Sequence, residues 1–150
     1  MAERHITVRR WMAAPVDSVW AVFADFPNLA KHWRGLRETR AIGEQTSGVG
    51  ARRLVKLKPM GSMEETVVMW EDGRGLATKN RPSGSVPFSQ AEATLHIEPD
   101  ADGTSATFEY QYLARGGPLG RVTGPLIDRM LTANFKSMLA AVATAARAER

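Results

Sequence analysis

Residues 13–33, AAPVDSVWAVFADFPNLAKHW, decide the reading of this chain. Pro15 suits the first position of a helix, where its missing N–H costs nothing. Asp17 then falls in the first turn, where its charge favours the helix dipole. Val16, Val19, Trp20 and Phe23 recur at i, i+3, i+4 and i+7 and so share one face. Asp25 is placed to cap a second short helix that starts at Phe26-Pro27 and runs to Trp33.

Working outward, the period changes from 3.6 to 2. A first strand, His5 to Met12, precedes the helical pair. After it come strands at Leu36 to Glu44, Arg52 to Lys58, Glu64 to Trp70, Leu76 to Asn80, Gln90 to Glu98 and Ala106 to Leu113. They are separated by Gly48-Val49-Gly50, Pro59-Met60-Gly61-Ser62, Glu71-Asp72-Gly73, the loop 82–87 and Asp100-Ala101-Asp102-Gly103. Strands at this spacing predict a continuous antiparallel meander. From Leu119 to about Ala148 the helical period returns, with Val122, Leu126, Ile127, Met130, Leu131, Phe135, Met138, Leu139 and Val142 on one broad stripe. Gly124-Pro125 predicts a bend or a delayed start. The expected fold is therefore α+β: a strongly curved seven-stranded antiparallel sheet wrapped around one long C-terminal helix, with two short helices after the first strand.

The chain of 150 residues suits one domain spanning 1–150, and no linker or repeat divides it. No apolar run approaches the roughly 20 residues that span a bilayer, so stable membrane insertion is not expected. The first ten residues, MAERHITVRR, carry charges where a signal peptide needs an apolar core, which predicts a cytoplasmic protein. With no cysteine there is no disulfide, thiol nucleophile or Cys-based metal site. The 20 Lys and Arg are dispersed among 16 acids for a net charge of +4, so no nucleic-acid footprint is expected. His5, His32 and His96 have no ligand-like spacing, and neither a metal nor another cofactor is expected. Gly-x-Ser-x-Gly and phosphate-loop patterns are absent. Gly116-Gly117-Pro118-Leu119-Gly120 reads as a flexible lead into the long helix, with a cavity lid as its functional version. A homodimer, the commonest closed oligomer, is compatible with the sequence.

Strand parity selects the side chains that face the hollow of such a sheet. On the third strand Arg53, Val55 and Leu57 form the more apolar face, which takes Arg53 inward. On the fourth, Glu65, Val67 and Met69 oppose Glu64, Thr66, Val68 and Trp70, and parity alone leaves the choice open. Ala91, Ala93, Leu95 and Ile97 form the apolar face of the sixth strand, and Phe108, Tyr110 and Tyr112 that of the seventh. Small alanines opposite large aromatics leave room for a ligand.

The segments APVDSVWAVFADFPNLAKHW (14–33), GVGARRLVKL (48–57), MEETVVMWEDGRGL (63–76) and SQAEATLHIEPDADGTSATFEY (89–110) resemble, in order and spacing, the START-like or Bet v 1-like (SRPBCC) superfamily. Within it the chain is similar to the polyketide cyclase/dehydrase and lipid-transport grouping. The resemblance implies a helix-grip fold that binds a hydrophobic or amphipathic small molecule, such as a lipid, quinone or polyketide, between sheet and long helix. It places the family's strand-four acid on Glu65 and turns Val67 and Met69 inward with it. It also matches Lys31 to a lysine with which plant hormone receptors of this fold hold a ligand carboxylate, although an exposed lysine explains that residue as well.

The expected ligand-binding set is thus Lys31, Trp33, Arg53, Val55, Leu57, Glu65, Val67, Met69, Ala91, Ala93, Phe108, Tyr110, Tyr112, Leu126 and Met130. Trp33 is expected to plug the cavity wall, and Trp70 to lie outward at a dimer or crystal contact. A carrier without covalent chemistry is the leading reading. A cyclase or dehydratase that uses Arg53, Glu65 and Tyr110 as catalytic residues, without a cofactor, is the alternative. A protein-interaction module is the third, and it requires an exposed apolar patch that the sequence does not reveal.

Overall fold

A computed structural model describes residues 3–115 and 120–148. The elements are β1 (Glu3–Met12), α1 (Val16–Ala24), a 3-10 turn (Phe26–Asn28), α2 (Leu29–His32), β2 (Leu36–Ile42), β3 (Arg52–Leu57), β4 (Ser62–Glu71), β5 (Gly75–Pro82), β6 (Phe88–Asp100), β7 (Gly103–Ala114) and α3 (Gly120–Ala148). The seven strands form one sheet in the order β1-β7-β6-β5-β4-β3-β2, with every neighbouring pair antiparallel. This is the expected helix-grip architecture. The glycine-rich segment read as a lead or lid, 116–119, lies outside the described residues.

The helical pair forms as the sequence predicts, with its boundaries shifted. Pro15 is the N-cap of α1, in extended conformation, and its carbonyl accepts from the N–H groups of Ser18 and Val19 at 3.0 and 3.1 Å. Asp25 does not cap the next turn through backbone N–H groups; its Oδ1 accepts from the Asn28 side-chain amide at 2.7 Å. Val19 and Phe23 enter the core with Val22, whereas Trp20 is half-buried.

A bulge corrects the parity of β4. Val67 pairs with Thr78 on β5, but Met69 pairs with Ala77 and Trp70 with Leu76, so Val68 is the extra residue. Beyond it every side chain changes face. Trp70 therefore turns inward rather than outward, packing on the Phe26, Ala51 and Val67 cluster and edge-on against Trp20 at 5.2 Å between ring centroids.

Helix α3 runs continuously through Gly124-Pro125, without the delayed start that was one of the two expectations there. The hydrogen bond that Pro125 cannot donate would reach only the first turn. Gly124 lets the Arg4 guanidinium approach, since a Cβ there would sit 2.7 Å from Arg4 Nη1. Ile127, Leu131, Phe135, Met138, Leu139 and Val142 are buried against the sheet and α1. Val122, Leu126 and Met130 are exposed by 76, 69 and 49%. The expected stripe is too broad, because neighbours such as Leu126 and Ile127 stand about 100° apart around the axis.

Candidate functional site

Helix α3 packs chiefly on β1, α1 and β7. Its other flank stands over the strands at the far side of the sheet and leaves a cavity of about 350 Å³. Among the expected residues, Trp33, Arg53, Val55, Leu57, Glu65, Ala93, Phe108, Tyr110 and Met130 line it. Met60 and Met130 line it while remaining largely exposed, so its mouth lies between the β3–β4 loop and α3.

Register places the polar groups. Arg53, Glu65 and Asn80 are successive cross-strand neighbours on β3, β4 and β5. Thr78, Ala93 and Tyr110 form the adjoining row on β5, β6 and β7. Arg53 donates from Nε to Glu65 Oε1 at 2.7 Å, and its Nη2 lies 2.6 Å from the same oxygen. Its Nη1 donates to the Phe26 carbonyl at 2.7 Å, and the guanidinium sits 3.9 Å from the Phe26 ring centroid. Thus the 3-10 turn of the opening segment is the second anchor of this arginine. Both Glu65 contacts fall on Oε1, which leaves Oε2 available as an acceptor.

Tyr110 is buried, and its hydroxyl donates to the Met63 sulfur at 3.7 Å, a weak acceptor. Burial pushes its pKa far above the ordinary phenol range, and the nearby Glu65 charge adds to the rise. Asn80, 5% exposed, lies near the Tyr110 hydroxyl and offsets part of that rise, although neither its side-chain oxygen nor its nitrogen reaches hydrogen-bonding geometry with another described residue. The aromatic wall continues from Phe108 to Phe135, 4.7 Å between centroids, and from Tyr110 to Phe135 at the same distance. Trp33 is part of the side wall, and its Nε1 donates to Ser137 Oγ on α3 at 3.2 Å.

Six expected residues do not line the cavity. Lys31 is exposed beside a shallow outer depression; two positions after the buried Leu29, it lies on the opposite side of the short helix α2. Val67 is buried instead with Phe26 and Ala51. Met69 is turned to the other face by the β4 bulge. Ala91 is covered, with the buried Asn80 and Tyr112 as its cross-strand neighbours. Leu126 points to solvent. Tyr112 is committed elsewhere: its hydroxyl donates to Asp128 Oδ1, and it lies 3.4 Å from the Gly124 carbonyl. Arg4 completes that latch, donating to Asp128 Oδ2 from Nε at 3.0 Å and from Nη2 at 2.6 Å. Burial and the bonded Asp128 raise the Tyr112 pKa, while the Arg4 hydrogen bond holds Asp128 below its usual range.

Sequence reasoning missed Met63, Thr78, Asn134 and Phe135, together with the Lys58-Pro59-Met60 rim. Met63 shares the parity of Glu65, and Phe135 stood on the apolar stripe, so both were within reach. Thr78 required the β4–β5 register. Among the described residues, no group of three or more His, Asp or Glu side chains could hold a metal ion. No described helix is long and apolar enough to cross a membrane.

Residues 3–147 match the family model described as polyketide cyclase/dehydrase and lipid transport. No curated protein matches the chain. Among solved structures, a START superfamily protein from Mycobacterium smegmatis superposes with a TM-score of 0.80 at 11% identity, covering 97% of this chain and 99% of the other. A norcoclaurine synthase point mutant from Thalictrum flavum, in complex with a transition-state analogue, gives 0.75 at 20% identity, covering 99% and 96%. The protein TTHA0849 from Thermus thermophilus gives 0.76 at 18% identity, covering 97% and 99%. At these identities the likeness is one of fold.

Proposed function

Because the chain belongs to the polyketide cyclase/dehydrase and lipid-transport family, we propose that it holds an amphipathic small molecule, of the lipid, quinone or polyketide kind, without covalent chemistry. The observation that carries this reading is the enclosed space itself, aromatic and aliphatic along its walls and polar at one end. Its volume sits at the small end of the roughly 300–1,000 Å³ common to ligand sites, with the usual few placed polar groups in an apolar lining. The ligand's apolar body lies against Leu95, Phe108, Leu131 and Phe135. Its polar head meets Glu65 Oε2, Thr78 and the Tyr110 hydroxyl. Arg53 is already neutralised by Glu65, which favours a hydroxyl, carbonyl or enol head over a free carboxylate.

The likeness to a synthase keeps an enzyme in view, with Arg53, Glu65 and Tyr110 as its catalytic groups. A phenol held far above its ordinary pKa is poorly matched to proton transfer near neutrality and well suited to donating a hydrogen bond. This favours carriage over catalysis. The test is native mass spectrometry of the purified protein, followed by titration with an apolar fluorescent probe. Wild type is expected to carry or take up one small molecule. Ala93→Phe, which fills the cavity floor, is expected to lose that uptake while keeping its circular-dichroism spectrum. Equal uptake by both proteins would refute the reading.

A further inference from the structure

Four segments, 29–37, 57–61, 83–88 and 122–138, carry lining residues of the cavity or continue directly from them. On α3, Val122, Leu126 and Met130 form an exposed row one helical turn apart, and Met60 stands exposed on the facing loop. Cations flank these apolar side chains on both sides. Arg129 and Lys136 are exposed on the outer flank of the α3 row, by helical spacing. On the other side Lys58 Nζ donates to the Arg34 carbonyl at 2.6 Å, and Arg37 Nε donates to the Leu57 carbonyl at 2.7 Å. These two bonds tie the Met60 loop to the α2–β2 corner and hold the Arg37 and Lys58 cations beside it, with Arg34 contributing its carbonyl. Asp128 is the one carboxylate in the four segments, and it turns away to pair with Arg4.

From this arrangement we infer that the mouth of the cavity docks on a lipid surface bearing anionic headgroups. Apolar side chains exposed within a ring of cations match an interface whose outer layer is anionic and whose next layer is hydrocarbon. The charge is local, since the whole chain carries only +4. Of the exposed large apolar side chains among the described residues, only Trp11 is aromatic, and it lies on β1 away from these segments, so the stacking platform expected of a single-stranded nucleic-acid site is lacking there. The contact is peripheral and separate from what the cavity holds, so it stands or falls independently of the ligand reading.

Co-sedimentation of the full chain with vesicles tests it, using phosphatidylcholine alone and phosphatidylcholine mixed with phosphatidylglycerol, at low and high salt. Wild type is expected to sediment with the mixed vesicles only, and less at high salt. Arg129→Gln is expected to weaken binding about fivefold. Val122→Ser/Leu126→Ser leaves the charge unchanged and is expected to weaken it about tenfold or more. All these positions are exposed, and unchanged thermal melts will show that the variants fold. No sedimentation of wild type with anionic vesicles at low salt overturns the inference. So does a double serine variant that binds as wild type does, which would mean charge adsorption alone. A wild-type dimer that the double serine variant dissociates, seen by analytical ultracentrifugation, also overturns it, because a second copy then covers the row. Displacement from vesicles by stoichiometric RNA would likewise assign the surface to nucleic acid.

Discussion

Replacing Arg53 by methionine removes one half of an ion pair whose side chains are only 13 and 12% exposed. Glu65 would lose the hydrogen bond from Nε and the close Nη2 contact on Oε1, and the Phe26 carbonyl would lose its donor at 2.7 Å. With charge centres about 4 Å apart, the attraction is about 4 kcal/mol at an effective dielectric near 20. Desolvation of each ion costs several kcal/mol, so the pair as a whole roughly breaks even. Breaking it is different from deleting it. Arg53→Met leaves a buried carboxylate unpaired, and its expected cost is about 3–5 kcal/mol. For a domain of this size that lowers Tm by roughly 6–20 °C, at about 2–4 °C per kcal/mol. Arg53→Met/Glu65→Leu removes both charges and is expected to return to within about 1 kcal/mol of wild type, or above it. Urea denaturation of wild type, Arg53→Met, Glu65→Leu and the double variant at neutral pH gives the coupling energy directly. Additive losses in the double variant, or a single-variant cost below about 1 kcal/mol, would refute the reasoning. The same proteins separate structure from function. A double variant as stable as wild type that no longer retains the cavity ligand shows that the pair serves recognition; undiminished retention shows that it does not.

The chain's two tyrosines, Tyr110 and Tyr112, are both buried, and their pKa values are raised above the ordinary value of 10.0. The native state therefore keeps protons that the unfolded chain loses, so stability is full below pH 10 and falls as pH rises beyond it. Tyrosinate absorbance at 295 nm should stay flat in the folded protein where it rises in urea; parallel titration curves would contradict this. Asp128 titrates below its ordinary value of 3.8 in the folded state, so its latch to Arg4 and Tyr112 contributes above that pH and is lost as pH falls through the lower value. Asp128→Asn should accordingly be less stable than wild type at neutral pH, and the gap should narrow as pH falls below 3.8; a constant gap counts against the latch. A Cβ on Gly35 would lie 2.2–2.4 Å from the Trp33 indole, so Gly35→Ala should displace the ring and cost about 1–3 kcal/mol. An unaltered near-UV circular dichroism spectrum would show that the ring had not moved.

Much of the fold was legible because period and turn chemistry agree along the chain: Pro15 and Asp25 punctuate the helices, and β2 to β6 each end at or within two residues of a glycine, proline or aspartate. The inward turn of Arg53 followed from parity on one regular strand. The misplacements have physical sources of a different kind. The bulge at Val68 inserts one residue without any glycine to announce it, so parity carried past Val67 put Met69 and Trp70 on the wrong faces. On α3, period alone told that 122, 126 and 130 are apolar but not which flank the sheet covers; that depends on the latch among Arg4, Tyr112 and Asp128, three residues brought together from β1, β7 and the helix. Tyr112 was expected in the cavity by alternation with Tyr110, and alternation does put both on the inner face. The hydroxyls diverge because Asp128 stands over one and Met63 over the other. The consequence is spatial: the sheet's inner face is divided into a sealed part that holds α3 and a part that lines the cavity. The same fixing leaves the apolar row of α3 outside, next to the mouth, where basic residues far apart in sequence converge. A sequence with dispersed charge thus acquires a local basic and apolar rim only through the packing angle of one helix, and disrupting the Arg4–Asp128 latch should disturb that rim before it disturbs the cavity walls on β3 and β4.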